Sequence, residues 1–214
     1  MITDATPAAR SGLRREQVAL TERRVLEAAT QLFVERGYVA TALLAVAEAA
    51  GVSPRTVYVR FRSKARLFER CLETSAVGEQ PLVAPLDRDT MAPALESPIL
   101  DQRLETIVEM ARSAMERSSA LLGVAAEAAA VEPEIAAVQR VAMQRALGDF
   151  RALAERLESD GLLPRGITAA AVTDLLWVLA GPRTIVSLTT DRGWTAARFA
   201  IWLDVTLRAF LRGR

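Results

Sequence analysis

Residues 41–68, TALLAVAEAAGVSPRTVYVRFRSKARLF, decide the fold class of this 214-residue chain. They predict a short helix, a turn at Gly51, a second short helix that opens at Ser53-Pro54, and the start of a third. Residues 53–66 hold five cations and no acid: Arg55, Arg60, Arg62, Lys64 and Arg66. A helix-turn-helix whose second helix is basic fits a DNA groove, so the pattern favours DNA binding over other functions.

The composition narrows the function classes further. With 51% hydrophobic and 25% charged residues, the chain can bury a sizeable core and is not disordered throughout. It has no His and a single Cys, Cys71, which excludes an intrachain disulfide, the usual zinc ligand sets and His-dependent catalysis. It also lacks a glycine-rich phosphate loop. We therefore expect neither an enzyme nor a protein that holds a metal or a cofactor.

Charge is divided unevenly along the chain. Residues 1–77 hold 12 Lys or Arg against 8 Asp or Glu, whereas residues 78–214 hold 15 against 18. A basic front half and an acidic rear half fit a nucleic-acid module joined to a domain of another kind. The start of the chain lacks the apolar core of a signal peptide, and no apolar run reaches the roughly 18 residues of a membrane span. These features predict a soluble, cytoplasmic protein without a membrane partner.

Helical periodicity and helix-breaking residues predict an all-α chain in four segments. Residues 1–15 are expected to form a disordered basic arm, and residues 16–77 the helix-turn-helix domain, whose first helix ends at Gly37. Residues 78–100 hold four prolines and predict a linker or mobile loop. The last segment, residues 101–214, should form helices near 101–117, 118–131, 133–160, 168–190 and 194–212, with a kink at Pro182.

Residues 23–73 resemble the N-terminal domain of the TetR/AcrR transcriptional regulators. The shared elements are LF-x-x-x-GY at 32–38, Thr41, A-x-x-AGVS at 47–53, T-V-Y-x-x-F at 56–61 and SK at 63–64. The resemblance implies an N-terminal three-helix DNA-binding domain followed by a C-terminal helical domain for ligand binding and dimerisation. It also implies a homodimer, usually a repressor, that binds a palindromic operator in double-stranded DNA and is released by a small-molecule effector.

The chain departs from the usual pattern of that family at four positions of this domain. The family usually has Gly where this chain has Arg55, an aromatic residue at Val59, His at Arg60 and Glu at Ala65. Neither Arg nor Ala breaks a helix, so the fold is expected to survive these changes. Positions 55, 59 and 60 lie on the helix face expected to meet DNA, so the departures bear on the operator sequence.

Candidate DNA-binding residues lie at the start of the second helix, along the third and at the start of the fourth: Thr41, Ser53, Pro54, Arg55, Thr56, Tyr58, Val59, Arg60 and Lys64. Arg55 is placed either to bond a guanine edge or to touch phosphate alone. Thr56 and Tyr58 offer hydroxyls for contacts to the DNA backbone, although half-core packing is the alternative for Tyr58. Thr41 is expected to cap its helix and bond a phosphate. Lys64, in the first turn of a helix, is expected to neutralise another phosphate.

The resemblance also implies an effector pocket and a dimer interface within residues 101–214. Candidate pocket residues are adaptable apolar side chains and the surroundings of the proline kink: Met110, Met115, Leu122, Met143, Phe150, Asp174, Trp177 and Pro182. Ordinary core packing is the alternative role for the methionines. The interface is expected on the last two helices, through Leu179, Ile185, Leu188, Trp202, Val205 and Phe210. A monomeric core is the alternative there.

Three other functions compete with an effector-responsive repressor. The first is a helical ligand-binding protein or enzyme with a vestigial DNA-binding head. The second is a DNA binder that is indifferent to sequence, whose binding would vanish with salt. The third keeps the fold but has no effector, so that the rear domain serves dimerisation alone.

Overall fold

The computed structural model describes residues 7–77 and 97–212, with side chains described over residues 16–75 and 97–212. Every regular element in these ranges is a helix, which confirms the predicted all-α class. The helices are α1 (Pro7–Ala40), α2 (Leu43–Ala50), α3 (Pro54–Phe61), α4 (Lys64–Val77), α5 (Leu100–Ala128), α6 (Pro133–Ser159), α7 (Ala169–Ala180), α8 (Pro182–Val186) and α9 (Ala196–Arg212). The predicted linker at 78–100 lies outside the described residues, except for its last four.

The chain divides into two compact units, Met1–Cys71 and Leu72–Arg214, and the boundary falls within α4. The sequence placed that boundary six residues later. Helix α1 begins at Pro7, a residue suited to the first helical position, so residues 7–15 are helical where a disordered arm was expected. Residues 1–6 of that arm lie outside the described residues.

An apolar face of α1 supplies much of the core of the first unit. Val25, Ala29, Leu32 and Phe33 are all buried, as their spacing predicted. Three aromatic rings close this core: Phe33, Tyr38 and Phe68 lie with centroids 4.9–5.8 Å apart. Such pairs each add about 0.5–1.5 kcal/mol beyond their buried area, so they fix α4 firmly against α1.

Cys71 is the last residue of the first unit and is buried in its core. Its thiol donates to the Leu26 carbonyl oxygen at 3.8 Å, and burial raises the pKa of this thiol to about 12. The thiolate is the reactive form of cysteine, so the high pKa makes Cys71 an inert packing residue at neutral pH.

Helices α5, α6, α7 and α9 pack around one apolar core in the second unit. Helix α5 runs unbroken through residue 118, where the sequence predicted a new helix to begin, so that prediction was wrong. Ser118, at the predicted boundary, donates its hydroxyl to the Ala114 carbonyl oxygen at 2.6 Å. Bonding back to the fourth preceding residue satisfies a serine inside a continuous helix.

The predicted kink at Pro182 is confirmed. Gly181 has extended backbone (φ −66°, ψ 157°) and separates α7 from α8. A Cβ at Gly181 would collide with the Trp177 carbonyl oxygen, which explains the glycine. Proline cannot bond the Val178 carbonyl oxygen, and the Thr184 hydroxyl donates to it instead at 2.5 Å. Residues 187–191 then form a π-helical turn.

The stretch Ala169–Asp191 is long and apolar enough, by length and composition, to cross a membrane. In this structure the break at Gly181 interrupts it, and Val172, Leu176, Leu179 and Ile185 are buried in the core of the second unit. That burial is the behaviour of a core helix.

A buried arginine joins the start of α5 to the end of α6. The Arg103 side chain is almost fully buried, and its Nη2 donates to Asp160 Oδ2 at 2.6 Å. Arg156 also donates to that carboxylate, at 2.9 Å. Hydrogen bonds from Arg103 and Arg156 lower the pKa of Asp160. Arg103 Nη1 is buried and has no hydrogen-bond partner among the described residues.

Candidate nucleic-acid interface

The turn between α2 and α3 is fixed by a glycine cap. Gly51 is left-handed (φ 63°, ψ 41°), its amide donates to the Glu48 carbonyl oxygen, and the Val52 amide donates to the Ala47 carbonyl oxygen, both at 3.0 Å. This pair of bonds is the Schellman motif, for which glycine is favoured because it has no Cβ penalty. A Cβ here would also lie 2.7 Å from Arg24 Nη2. The turn therefore sets the entry of α3 with little freedom.

Helix α3 begins as the sequence predicted. Ser53 Oγ accepts the Thr56 amide at 3.2 Å and lies 2.8 Å from the Thr56 hydroxyl, and Pro54 occupies the first turn. Val57 and Phe61 are buried, which fixes the rotation of the helix about its axis. The hydroxyl of Thr56 is thus engaged with the cap, and the opposite face of the helix is left to solvent.

The solvent face of α3 carries the residues best placed to meet DNA. Arg55 is exposed, and no hydrogen bond or ion pair is recorded for it among the described residues. Tyr58 is 50% exposed, which fits the alternative of half-core packing and leaves part of the side chain open to solvent. Val59 is 68% exposed. This face brings a free guanidinium, a phenol and an apolar side chain together over about one helical turn.

Arg60 lies at the edge of that face and is partly engaged within the protein. Its Nη1 lies 3.7 Å from Glu22 Oε2, while the other oxygen of Glu22 accepts from Arg70 at 3.1 Å. Glu22 on α1 therefore links α3 to α4. This arrangement makes Arg60 a residue that positions α3, with a guanidinium that is only partly available to a ligand.

Thr41 does not cap α2, so that prediction was wrong. Helix α2 begins at Leu43, with Ala42 at the cap position and no side-chain cap bond. Thr41 is 1% exposed, and its hydroxyl donates inward to the carbonyl oxygens of Gly37 at 2.8 Å and Leu32 at 3.1 Å. The hydroxyl ties the end of α1 together and is not presented to a phosphate.

Lys64 also has a structural role that its sequence position did not reveal. Its Nζ donates to the carbonyl oxygens of Tyr38 at 2.9 Å and Val39 at 3.2 Å, and lies 4.3 Å from the centre of the Tyr38 ring. The backbone of Gly37 is non-helical (φ 76°, ψ 170°), which leaves these carbonyls outside the helical ladder of α1. Lys64 therefore donates hydrogen bonds to backbone carbonyls at the end of α1 that the helix itself leaves unbonded.

Arg62 was not among the candidate DNA-binding residues, although the structure singles it out. It is the one non-glycine residue with positive φ in the described ranges (φ 63°, ψ −41°), and the amide of Ser63 donates to the Phe61 carbonyl oxygen at 2.7 Å. This is a γ-turn in its strained, positive-φ form. The side chain is exposed at the end of α3, with no hydrogen bond or ion pair recorded among the described residues. The sequence shows that residue 62 is positively charged, but it does not show the strained backbone conformation.

The predicted pocket residues are only partly brought together. Met115 is buried in the core of the second unit, and Leu122 and Phe150 pack against that core. Asp174 is exposed on α7, so it is not an interior residue in this structure. The others are partly buried: Met110, Met143, Trp177 and Pro182.

Most of the predicted interface residues pack against the core of the second unit. Leu179 and Ile185 are buried within the unit, while Leu188, Trp202 and Phe210 are partly buried against the same core. Trp202 packs edge-on against Trp194, with ring centroids 5.6 Å apart. Sequence patterning identified the apolar helices but could not separate the core face from a second face.

Val205 alone of the predicted interface set is freely exposed, at 62%, and it has apolar neighbours that the sequence reasoning missed. Ile201, four residues earlier on α9, is 70% exposed. Ala197 and Ala209 extend the row on α9 at the same spacing and are also exposed. Residues four apart share one helix face, so α9 carries a second apolar stripe on the side away from its core.

Comparisons with known proteins address the fold and this domain. Residues 25–71 match the family model described as bacterial regulatory proteins, tetR family. A 52-residue segment is 44% identical to the uncharacterized HTH-type transcriptional regulator YvkB of Bacillus subtilis (strain 168), covering 24% of this chain and 28% of that relative.

Solved structures match over nearly the whole chain, and two of them are described here. A Mesorhizobium loti protein assigned to the TetR family has a TM-score of 0.68 at 23% identity, covering 91% of this chain and 96% of its own. FadR of Bacillus subtilis, solved with stearoyl-CoA, has a TM-score of 0.66 at 13% identity, covering 87% and 97%. At these identities the likeness establishes the fold, with a helix-turn-helix domain followed by a helical domain.

Proposed function

We propose that this chain, a member of the TetR family of bacterial transcriptional regulators, is a cytoplasmic, dimeric repressor that reads a palindromic operator through α3. The observation that carries the proposal is the solvent face of α3. Its inner face is anchored by Val57 and Phe61, and its outer face presents Arg55 without a competing acid between residues 53 and 66. A rigid basic helix after a tight turn is the element that enters a major groove.

The candidate residues of the helix-turn-helix domain fall into two groups, those available to contact DNA and those engaged within the protein. Arg55 can bond guanine bidentately, worth roughly 1–3 kcal/mol of discrimination against another base. Tyr58 and Arg62, exposed on α3 and at its end, suit phosphate contacts that fix register. Thr41 and Lys64 support the scaffold from within, because the Thr41 hydroxyl and two of the three Lys64 N–H donors bond backbone carbonyls.

Dimerisation follows from what a single short helix can achieve. One α3 covers only a few base pairs, and two copies about 34–36 Å apart would read successive half-sites on one side of the duplex. The exposed stripe of α9 is the surface we propose to pair with its copy. Exposed apolar rows of this kind mark association sites in soluble proteins.

A small apolar effector would act through the second unit. Its core is lined by aliphatic and aromatic side chains, and its buried hydroxyls are already bonded, as Thr173 is to the Ala169 carbonyl oxygen at 2.8 Å. The break at Gly181 and the π-helical turn after α8 are irregularities of the sort found near ligand sites. The FadR neighbour was solved with stearoyl-CoA, which makes that thioester a reasonable first probe.

The test of the proposed function is selection from random duplex DNA at about 150 mM salt, which suppresses non-specific attraction. Enrichment of a palindrome with half-sites about one helical turn apart is the expected result. A folded protein that enriches no sequence would contradict the proposal. Release of the selected duplex by stearoyl-CoA, whose acyl chain is apolar, or by a wholly apolar ligand would then separate an effector-responsive repressor from the same fold without an effector.

A further inference from the structure

We infer that Val59 reads the C5-methyl group of a thymine close to the base contacted by Arg55, so that each operator half-site contains that thymine. This inference rests on the proposed function, since it concerns the bases that α3 would meet. It goes further by assigning a specificity-determining role to an apolar residue of the groove-facing surface.

The position of Val59 is fixed by the buried side of its own helix. Val57 and Phe61 are sealed in the core of the first unit, which leaves residues 55 and 59 together on the solvent face. Positions four apart lie on one face, about 6 Å apart along the axis. Successive bases of one strand are about 3.4 Å apart, so the two side chains are separated by roughly two base steps.

Most of the apolar side chain of Val59 is left uncovered by the described part of the protein. At 68% it is the most exposed large apolar side chain recorded in the described part of the first unit. A β-branched residue is also a poor choice for a short exposed helix, where Lys, Glu or Ala would be favoured. Since Val59 lies between cations on a face that lacks acids, its apolar surface lies where a DNA groove is expected.

The chemistry of the side chain then selects one base. Valine offers only methyl groups and cannot satisfy a donor or an acceptor of a base edge. In the major groove, thymine alone presents an apolar group, its C5-methyl, while the edges of the other three bases are marked by polar atoms. Covering a polar edge with valine would leave that edge without a partner, at a cost in affinity. A thymine opposite Val59 buries two apolar surfaces together.

The experiment replaces thymines by deoxyuridine, one position at a time and in both half-sites, within the palindrome enriched from random DNA. Deoxyuridine removes the methyl and keeps every hydrogen-bonding group. Loss of one buried carbon is expected to weaken binding about fourfold per half-site, or about fifteenfold for the palindrome. We expect a single thymine position to show this loss in competition binding at about 150 mM salt.

Protein variants connect the effect to Val59. In Val59→Ala, the same deoxyuridine substitution should cause no further loss, as in a double-mutant cycle whose interaction has been removed. Val141→Ala, an exposed valine on α6, is the matched control and should keep full sensitivity. Circular dichroism checks that both variants remain folded, which their exposure favours.

Two results would overturn the inference while leaving the proposed function standing. One is a specific operator in which no thymine methyl affects affinity. The other is an equal deoxyuridine penalty in Val59→Ala and in the unmodified protein, which would assign the methyl contact to another residue. Failure to enrich any sequence would instead overturn the proposed function, and this inference with it.

Discussion

Replacing Arg62 by glycine should make the protein more stable and make its DNA binding weaker. Arg62 occupies the centre of a γ-turn at φ 63° and ψ −41°, a conformation that costs a residue with a Cβ roughly 1–3 kcal/mol. Glycine removes that strain, but it loses about 0.5–1 kcal/mol more conformational entropy on folding than alanine does. The net expectation for Arg62→Gly is a gain of about 1 kcal/mol in the free energy of unfolding.

The same Arg62→Gly change should weaken DNA binding. If the exposed guanidinium neutralises a phosphate, its loss should lower the slope of log affinity against log salt by about 0.9 per protomer, or roughly 1.8 per dimer. The loss should be similar for all sequences, because a phosphate contact carries no base information. Fluorescence anisotropy at several salt concentrations measures the slope, and urea unfolding measures the stability.

Two variants control this experiment. Arg62→Lys keeps the charge and the strain, so it should preserve most of the salt slope and gain no stability. Arg151→Gln removes one exposed charge from α6 and should leave both quantities nearly unchanged. An Arg62→Gly protein with an unaltered salt slope would refute the phosphate contact, and one that is less stable than the parent would refute the strain argument.

Three further predictions follow from individual contacts. Lys64→Ala removes two charge-assisted bonds to backbone carbonyls and should lower the free energy of unfolding by about 2 kcal/mol, measured in urea; an unchanged midpoint would contradict the structural role. Ile201→Glu should convert the dimer to a monomer in sedimentation, whereas Val131→Glu, an equally exposed valine in the loop after α5, should not; a dimeric Ile201→Glu protein would exclude the α9 stripe. Hydrogen bonds from Arg103 and Arg156 lower the pKa of Asp160. The contribution of the Asp160 carboxylate to stability is therefore present above the ordinary aspartate pKa, and it is lost as the pH falls through the lower pKa of the folded state. Asp160→Asn should therefore flatten the dependence of the urea midpoint on pH below about pH 4, and a dependence equal to that of the parent would show that this carboxylate contributes nothing.

Local signals in the sequence were sufficient for the helices and the turns. Ser53 followed by Pro54 predicts a helix start because a hydroxyl and a fixed φ act on adjacent residues. Gly51 and the Gly181-Pro182 pair predict breaks for equally local reasons. The structure confirms all three.

Roles that depend on distant partners could not be predicted in the same way. The hydroxyl of Thr41 reaches back nine residues and the ammonium of Lys64 reaches back twenty-six, and neither partner is marked in the sequence. Arg62 adopts its strained turn because Phe61 is held in the core on one side and α4 begins on the other. Such a conformation follows from packing and leaves no local signature.

The exposed apolar side chains of α7 and α9 illustrate a different difficulty. Helices α7 and α9 are apolar on more than one side, so periodicity identifies them as doubly buried without saying which side meets which neighbour. Leu179 and Val178 are adjacent in sequence and similar in character, yet one is buried and the other is exposed. Only the packing of the second unit separates the two.

The most direct test of the central proposal is the ratio of affinities for the selected palindrome and for a scrambled duplex of equal length, measured at about 150 mM salt. A dimeric, sequence-reading regulator should prefer the palindrome by about a thousandfold or more, with two protomers bound per duplex. Equal affinities that fall together as salt rises would show a DNA binder that recognises the backbone alone, and would contradict the proposal that the exposed face of α3 reads bases.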